Sequence, residues 1–269
     1  MHPEVLHWGV LRITSYGLML TIAFLVGTWL GLRESRRLGL DEDRVVTVIL
    51  VALMAGVVGA RALYVAEHMR DFRGSYLSVL ALWQGGLTLY GGIAAGTVAG
   101  LFVARRTGLP MWVTGDALAP SLALGTVFGR LGCFLNGCCY GHPTRLPWGV
   151  VFPADSFAGL EFGPVPLHPA QLYFAAAGLG LFLGVWTVRR RVRVPGVLLW
   201  SLIALLALVR IPLDLTRVYE ADAMVAEFGV VHISESQVTS TALMLFALLM
   251  IVRLRRESRQ AAAPIAPPA

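Results

Sequence analysis

The chain has 269 residues, of which 57% are hydrophobic and 14% are charged, with a formal net charge of +6. Soluble domains carry about 25% charged residues, so this composition excludes an ordinary soluble protein and indicates an integral membrane protein. The positive charge, all of it from arginine, suits contact with the anionic lipids of a bilayer, and we expect no nucleic acid as a partner of so apolar a chain.

Seven apolar stretches are long enough to cross a bilayer, which takes about 20 helical residues. They lie at residues 15–32, 45–65, 86–104, 112–132, 170–188, 196–216 and 237–253. The first has no basic segment before it and no small-residue cleavage site, so we interpret it as an uncleaved helix and not a signal peptide. The sequence therefore predicts an all-α fold, an integral membrane bundle of about seven transmembrane helices.

The arginines predict an orientation, because cytoplasmic loops collect basic residues. Fourteen arginines follow the first, third, fifth and seventh stretches, at positions 33, 36, 37, 44, 105, 106, 189, 190, 191, 193, 253, 255, 256 and 259. We therefore expect the N-terminus on the outer side of the membrane and the C-terminus in the cytoplasm.

The domain organisation follows from the same pattern. We expect one transmembrane domain over residues 1–260, since we find no soluble module and no internal repeat. Residues 261–269 are rich in Ala and Pro and are predicted to form a disordered tail. Residues 66–85 and 133–169 become the long outer connections, the second of them mostly irregular because of its prolines.

The segment 129–141, with the sequence Gly-Arg-Leu-Gly-Cys-Phe-Leu-Asn-Gly-Cys-Cys-Tyr-Gly, places Arg130 at the outer end of the fourth stretch. A charge at membrane depth is costly and is a functional-site hypothesis by default. Non-helical backbone at this depth must be shielded by protein or line a wet cavity. We therefore expect Arg130 to face a polar pocket.

Arg61 and Arg210 also lie near the outer ends of stretches, the second and the sixth. One interpretation is that each extends to a lipid phosphate at the membrane surface. The other is that Arg61, Arg130 and Arg210 converge, which would make a receptor for a phosphate headgroup.

Two pairs of glycines, Gly85-Gly86 and Gly91-Gly92, flank residues 87–90. Such pairs near the start of a helix suggest backbone that approaches a ligand. Gly92, Gly96 and Gly100 are spaced four apart, and for this spacing we favour close packing between helices.

The three cysteines are Cys133, Cys138 and Cys139. Zinc sites usually use Cys-x₂₋₄-Cys spacing, which the adjacent pair fits poorly, so no metal is predicted. A disulfide between two of the three and free, buried thiols both remain open.

Taken together, these motifs resemble the prolipoprotein diacylglyceryl transferases of bacterial inner membranes. The matching blocks are Ser-Tyr-Gly-Leu-Met at 15–19, Gly-Ala-Arg at 59–61, residues 83–86 and 90–92, Gly-Arg-Leu-Gly at 129–132, Phe134, Asn136-Gly137, Gly141, residues 147–149 and 152–153, His-Pro-Ala-Gln-Leu-Tyr at 168–173, and Arg210. They follow one another along nearly the whole chain.

The resemblance implies an enzyme that moves the diacylglyceryl group of phosphatidylglycerol onto the lipobox cysteine of prolipoprotein signal peptides. It implies a multi-pass protein of the inner membrane, an active site toward the periplasm, and no metal or organic cofactor. The implied catalytic residues are Arg130, Arg210, Tyr90 and Tyr16. The implied substrate-binding residues are Arg61, Gly91, Gly92, Cys133, Asn136, Gly141, His168, Gln171 and Asp214.

The chain departs from the family pattern at four positions of the implied site. Tyr90 replaces the usual histidine, Cys133 the usual asparagine and Cys138 the usual glutamate, and Asp214 stands where glutamate is common. A tyrosine, with an ordinary pKa of about 10, is a poor base, so either His142, His168 or hydroxide assists the thiol, or the chain is a divergent branch with an altered substrate. Two alternatives therefore stay open: a relative that binds phospholipid without the chemistry, and a thiol-redox or metal-handling membrane protein.

Overall fold

A computed structural model describes residues 4–8, 11–70, 72, 76–81, 85–219, 224–228 and 231–261. Its elements in chain order are β1 (Glu4–Trp8), β2 (Leu11–Thr14), α1 (Ser15–Arg37), α2 (Glu42–Glu67), a 3-10 turn (Tyr76–Leu80), α3 (Leu89–Arg106), α4 (Met111–Asn136), α5 (Phe157–Phe162), α6 (Ala170–Val188), α7 (Val197–Asp214), β3 (Met224–Phe228), β4 (Val231–Ser234) and α8 (Glu235–Ala261). The predicted helical character is confirmed, and two short β-hairpins are added to it.

Each of the seven predicted stretches falls on a helix: α1, α2, α3, α4, α6, α7 and α8. Among the described residues, six of these helices, all but α3, are long and apolar enough to cross a membrane. The chain is therefore a multi-pass membrane protein. Helix α3 has 18 residues and ends in Arg105 and Arg106, so a seventh crossing stays a prediction, as does the orientation of the termini.

The two hairpins form a short repeat that the sequence analysis missed. Both are antiparallel, both have an irregularity after the first residue pair, and each leads directly into a long helix. The sequences correspond as well, with Trp-Gly-Val-Leu-Arg-Ile-Thr at 8–14 and Phe-Gly-Val-Val-His-Ile-Ser at 228–234. Seven residues are too few to appear in a pattern of membrane spans of about 20 residues.

The described chain divides into two compact units, one of residues 1–31 with 118–269 and one of residues 32–117. We describe each by itself, and the single domain over 1–260 stays a prediction. Of the predicted tail, Ala261 is the last residue of α8, and residues 262–269 lie outside the described residues.

In the unit of residues 32–117, α2 and α3 pack backbone to backbone through glycine. A Cβ atom on Gly91 would overlap the carbonyl oxygen of Gly59, and one on Gly92 would lie 3.3 Å from the carbonyl oxygen of Gly56. Gly96 approaches the backbone of Ala52 in the same way. Close packing is therefore confirmed for this spacing, and Gly91 and Gly92 both face α2.

Arg61, on α2, is buried and donates to backbone carbonyls through every guanidinium nitrogen. Its Nε donates to Val79 O at 2.8 Å and its Nη2 to Ser78 O at 2.6 Å. Its Nη1 donates to Gly85 O at 2.6 Å and to Gly86 O at 3.0 Å. Arg61 therefore holds the backbone of residues 78, 79, 85 and 86 in place, and it does not extend to a lipid phosphate.

In the other unit, α4, α6 and α7 pack around a small apolar core. Ala119 and Ala123 of α4 meet Val185 of α6 and Leu202 of α7. A second core, centred on Phe152, Ala158 and Leu167, lies under the long connection after α4. This connection is therefore packed, although most of its backbone is irregular.

Arg61→Gln should destabilise the protein, because glutamine cannot reach four carbonyl oxygens and each buried acceptor left unpaired costs about 1–3 kcal/mol. Arg61→Lys should restore little, since an ammonium donates from a single point. Thermal unfolding in detergent, with limited proteolysis between residues 71 and 86, measures both effects. The control is Arg105→Gln, at an exposed position of α3. Equal stability of Arg61→Gln and Arg105→Gln would contradict this role.

Candidate active site

Helix α4 ends in a turn that folds the chain back over its last helical residues. Gly137 has a φ of 71°, and its N–H donates to Phe134 O at 3.2 Å, while the N–H of Cys138 donates to Cys133 O at 3.1 Å. These two bonds define a Schellman motif, which glycine favours because it enters the left-handed region without penalty. The motif brings Cys138 back beside Cys133, five positions earlier.

The next residue, Cys139, continues the reversal. Its φ of 61° makes it the only non-glycine residue with a positive φ among those the structure describes, a conformation that costs roughly 1–2 kcal/mol. The Sγ atoms of Cys133, Cys138 and Cys139 all lie within 4.8 Å of one another, and all three cysteines are free thiols. The adjacent cysteines therefore gather in space in a way that their spacing did not indicate.

Residues 140–142 lie between the start of α6 and the segment after α7. Gly141 N donates to His168 O at 3.0 Å, and His142 N donates to Thr216 O at 3.0 Å. A Cβ atom on Gly141 would overlap the carbonyl oxygen of Thr216 and would lie 2.6 Å from Cβ of His168. Only glycine fits at position 141, where the segment after α4 packs against the residues before α6 and after α7.

Arg130 is half-buried on α4, one turn before Cys133. Its Cζ lies 4.5 Å from the ring centroid of Phe174 on α6, a cation–π contact that orients the guanidinium. Within the described part of the chain, Arg130 donates no hydrogen bond and pairs with no carboxylate. Its five N–H donors are therefore left for an anion.

Arg210, on α7, is anchored on one edge only. Its Nε donates to Ser236 Oγ at 2.6 Å and lies 3.7 Å from Oδ2 of Asp214, whose side chain is fully buried. The other carboxylate oxygen of Asp214 accepts from the hydroxyl of Tyr219 at 2.7 Å. Both Nη groups of Arg210 have no partner among the described residues, so they too can donate to an anion.

Arg217 is a third cation of this site, and the sequence analysis did not select it. Its Nη1 lies 3.3 Å from the hydroxyl of Tyr219, and its buried Nε has no hydrogen-bond partner among the described residues. The pKa of the Cys139 thiol is lowered from its ordinary value, first by hydrogen bonds from Cys133 and Cys138 and then by the charges of Arg217 and Arg130. In the sequence, the only indication that Arg217 belongs to this site is its position seven residues after Arg210.

The remaining predicted residues of this unit surround the turn. Gln171 is fully buried, and its Nε2 donates to Cys138 O at 2.8 Å. Asn136 is the last residue of α4 and directly precedes Gly137 of the turn. Tyr16 of α1 packs against Gly132, where an added Cβ atom would lie 3.0 Å from the tyrosine ring. These contacts fix the backbone around the thiols.

His168 is oriented through two aromatic residues. The indole N–H of Trp148 donates to the hydroxyl of Tyr173 at 2.8 Å, and this hydroxyl lies 3.1 Å from Nδ1 of His168. Because Nδ1 is engaged with Tyr173, Nε2 is the ring nitrogen of His168 that remains for other partners.

The predicted site residues therefore fall into two sets. Those described above, from Tyr16 to Asp214, belong to the unit of residues 1–31 and 118–269, whereas Arg61, Tyr90, Gly91 and Gly92 belong to the unit of residues 32–117. The side chain of Tyr90 is 54% exposed and makes no hydrogen bond with another described residue. A place for these four beside Arg130 stays a prediction.

The charges of the first set favour an anion with several oxygens. The charges of Arg130 and Arg217 both act on Cys139. Asp214 acts on Arg217 and lies 3.7 Å from Nε of Arg210, so it is the carboxylate of these contacts. Arginine donates to phosphate oxygens in a fork of two parallel hydrogen bonds. A site with three guanidinium groups and one carboxylate can therefore bind a phosphate ester and hold its charge.

Comparison with known proteins gives consistent matches over most of the chain. A family model described as "Prolipoprotein diacylglyceryl transferase" matches residues 3–253. Three relatives are named phosphatidylglycerol–prolipoprotein diacylglyceryl transferase. The Geobacter sulfurreducens protein is 34% identical (94% of this chain, 95% of the relative). The Solidesulfovibrio magneticus protein is 33% identical (93% and 94%), and the Thermus thermophilus protein is 34% identical (91% and 96%).

Gly141→Ala should separate the three joined segments, because the added methyl group meets backbone at Thr216 and cannot be accommodated by a side-chain rotation. We expect a loss of more than about 3 kcal/mol in unfolding free energy, at the upper end for overpacking, and faster alkylation of the three thiols. Gly180→Ala, on α6, where an added Cβ atom meets nothing within 4 Å, is the control. If Gly141→Ala and Gly180→Ala had equal alkylation rates and equal unfolding temperatures, this interpretation would be wrong.

Proposed function

We infer that this chain, which belongs to the prolipoprotein diacylglyceryl transferase family, transfers the diacylglyceryl group of phosphatidylglycerol to prolipoproteins, a step in lipoprotein maturation. The structural observation that best supports this reaction is the guanidinium of Arg130, which is stacked on Phe174 and has no hydrogen-bond partner among the described residues. A half-buried cation of this kind is costly at membrane depth unless an anion joins it, and the substrate is a phosphodiester.

The acceptor that we propose is the thiol of the lipobox cysteine in the signal peptide. The sulfur attacks the glyceryl carbon that carries the phosphodiester, so a C–S bond forms and the C–O bond to phosphate breaks. The electron pair of that bond leaves with glycerol phosphate, the thiol proton leaves to a base, and the product is a thioether. The leaving phosphate gains negative charge, which preorganised cations stabilise more in the transition state than in the ground state.

Arg130 and Arg210 are the residues that we place on this phosphate. Arg130 is held only through its ring contact and presents its full fork, and Arg210, fixed at Nε by Ser236, presents its two Nη groups. Arg217 adds a third positive charge on the side of Cys139. Tyr16, Asn136 and Gln171 keep the turn and its backbone in place around them.

For the thiol proton, His168 is the better supported of the two candidate histidines. Its Nδ1 is engaged with Tyr173, so its orientation is fixed, whereas His142 is exposed. In the tautomer whose Nδ1–H donates to the Tyr173 hydroxyl, Nε2 is free to accept the thiol proton, and general-base catalysis requires a base positioned in this way. Tyr90, whose side chain is exposed, is proposed to contact the lipid, as the resemblance implies. Arg61, Gly91 and Gly92 would then act indirectly, through the packing of α2 against α3 and through the carbonyl groups that Arg61 binds.

We propose that the enzyme lies in the bacterial inner membrane with seven spans, its N-terminus and active site on the periplasmic side. The support is the distribution of arginines together with the helices found at all seven predicted stretches. Reporter fusions after Arg37, at the end of α1, and at Ala158, in α5, should therefore report the cytoplasm and the periplasm respectively. Two cytoplasmic signals would rule out the seven-span topology.

Activity is tested by incubating the purified chain with phosphatidylglycerol and a lipobox peptide, and measuring both the thioether and the released glycerol phosphate. Arg130→Lys should lose nearly all activity while the protein still accumulates, because a point charge cannot replace the planar fork. Arg145→Gln, an exposed position on the connection after α4, is the control and should retain activity. Full activity in Arg130→Lys would exclude a bidentate role for this residue.

A further inference from the structure

The three thiols at the end of α4 have the geometry of a metal site. Three sulfur ligands arranged trigonally at about 2.3 Å from an ion are about 4 Å apart. The Sγ atoms of Cys133, Cys138 and Cys139 already lie within 4.8 Å of one another. Small side-chain rotations are therefore enough to bring all three sulfurs onto one ion.

The ligand set selects the kind of ion. In the part of the chain that the structure describes, no His, Asp or Glu atom joins this group, so the site offers three ligands, all of them sulfur. Structural zinc requires four ligands, whereas thiolates favour soft ions and monovalent copper is satisfied by three. We propose that Cys133, Cys138 and Cys139 form a three-thiolate site for Cu(I).

The surrounding charges fit such a complex. Binding of one Cu(I) displaces three thiol protons and leaves a group with two negative charges, with no change of oxidation state. Arg130 lies one turn before Cys133 on α4, and Arg217 pairs with Gly141, two residues after Cys139, so positive charge lies close to the bound complex. A buried charge without such partners would be prohibitively costly.

The backbone is also organised for this site before any ion arrives. The Schellman motif at Gly137 places Cys138 beside Cys133, and the positive φ of Cys139 turns its thiol back toward them. Gln171 fixes the turn through its hydrogen bond to Cys138 O. Local strain that the surrounding structure maintains is common at ligand sites, and here it is located at the one residue that closes the group.

The site has a consequence for the proposed reaction, and this consequence alone rests on the proposed function. Arg130 would serve both the Cu(I)–thiolate group and the substrate phosphate. Bound copper should therefore compete with phosphatidylglycerol, and copper binding itself can be measured without any substrate.

The test uses the full chain, purified in detergent, reduced and kept under anaerobic conditions. Cu(I) is supplied as its coloured complex with the chelator bicinchoninate, and the loss of colour measures transfer to the protein. We expect one Cu(I) per chain, and no transfer to a variant with all three cysteines replaced by alanine. Cys139→Ser should weaken binding more than about 100-fold, since even the partners of metal ligands contribute 10–100-fold, while Arg217→Gln should weaken it about tenfold.

The coordination is measured on the unmodified chain, so it does not depend on any variant folding. X-ray absorption at the copper edge should show three sulfur neighbours, and His142→Gln should bind as tightly as the unmodified chain. Four results would each overturn the proposal. They are absence of copper transfer, unchanged copper affinity in Cys139→Ser, a nitrogen ligand that is lost in His142→Gln, and a disulfide between these cysteines that persists after reduction.

Discussion

The cost of placing a guanidinium among apolar residues is the constraint on which this structure depends. Arg61 offsets this cost by donating to four backbone carbonyl groups, those of residues 78, 79, 85 and 86. Arg210 has partners at its Nε atom only, namely the hydroxyl of Ser236 and the carboxylate of Asp214. Arg130 has only the face of Phe174 among the described residues. The three arginines look equivalent in the sequence, but in the structure Arg61 binds backbone carbonyl groups, whereas Arg130 makes no hydrogen bond with the described residues, and for this reason we propose it as the ligand-binding arginine.

The second constraint is the reversal of the chain after α4. Gly137 and Gly141 allow it, the first through its positive φ and the second because a methyl group would strike Thr216. The reversal places the segment after α4 between the start of α6 and the segment after α7, and Arg130 itself contacts Phe174 of α6. The same turn gathers the thiols, so a phosphate site and a thiol cluster arise from one local structure. This proximity is why the proposed copper site and the proposed reaction share an arginine.

Much of the fold follows from the sequence, because length and hydropathy alone determine where a helix can cross a bilayer. The importance of Arg130 and Arg210 follows from the cost of charge at that depth. What depends on long-range geometry could not be predicted from spacing. The carbonyl partners of Arg61 lie 17 to 25 positions away, and Arg217 belongs to the site only because its segment pairs with Gly141. The cluster at Cys139 needed a backbone conformation that no sequence rule assigns to cysteine.

We propose that the guanidinium of Arg130 binds the phosphate of a phospholipid. Measurement of lipid binding tests this proposal most directly, because it does not require turnover. Equilibrium binding of phosphatidylglycerol and of diacylglycerol with the same acyl chains should be compared in mixed micelles. We expect the unmodified chain to prefer phosphatidylglycerol, and Arg130→Gln to lose about 10–100-fold in affinity for that lipid, the contribution of a charge-assisted hydrogen bond. Diacylglycerol binding should stay the same. Equal phosphatidylglycerol affinity in the unmodified chain and Arg130→Gln would contradict the account.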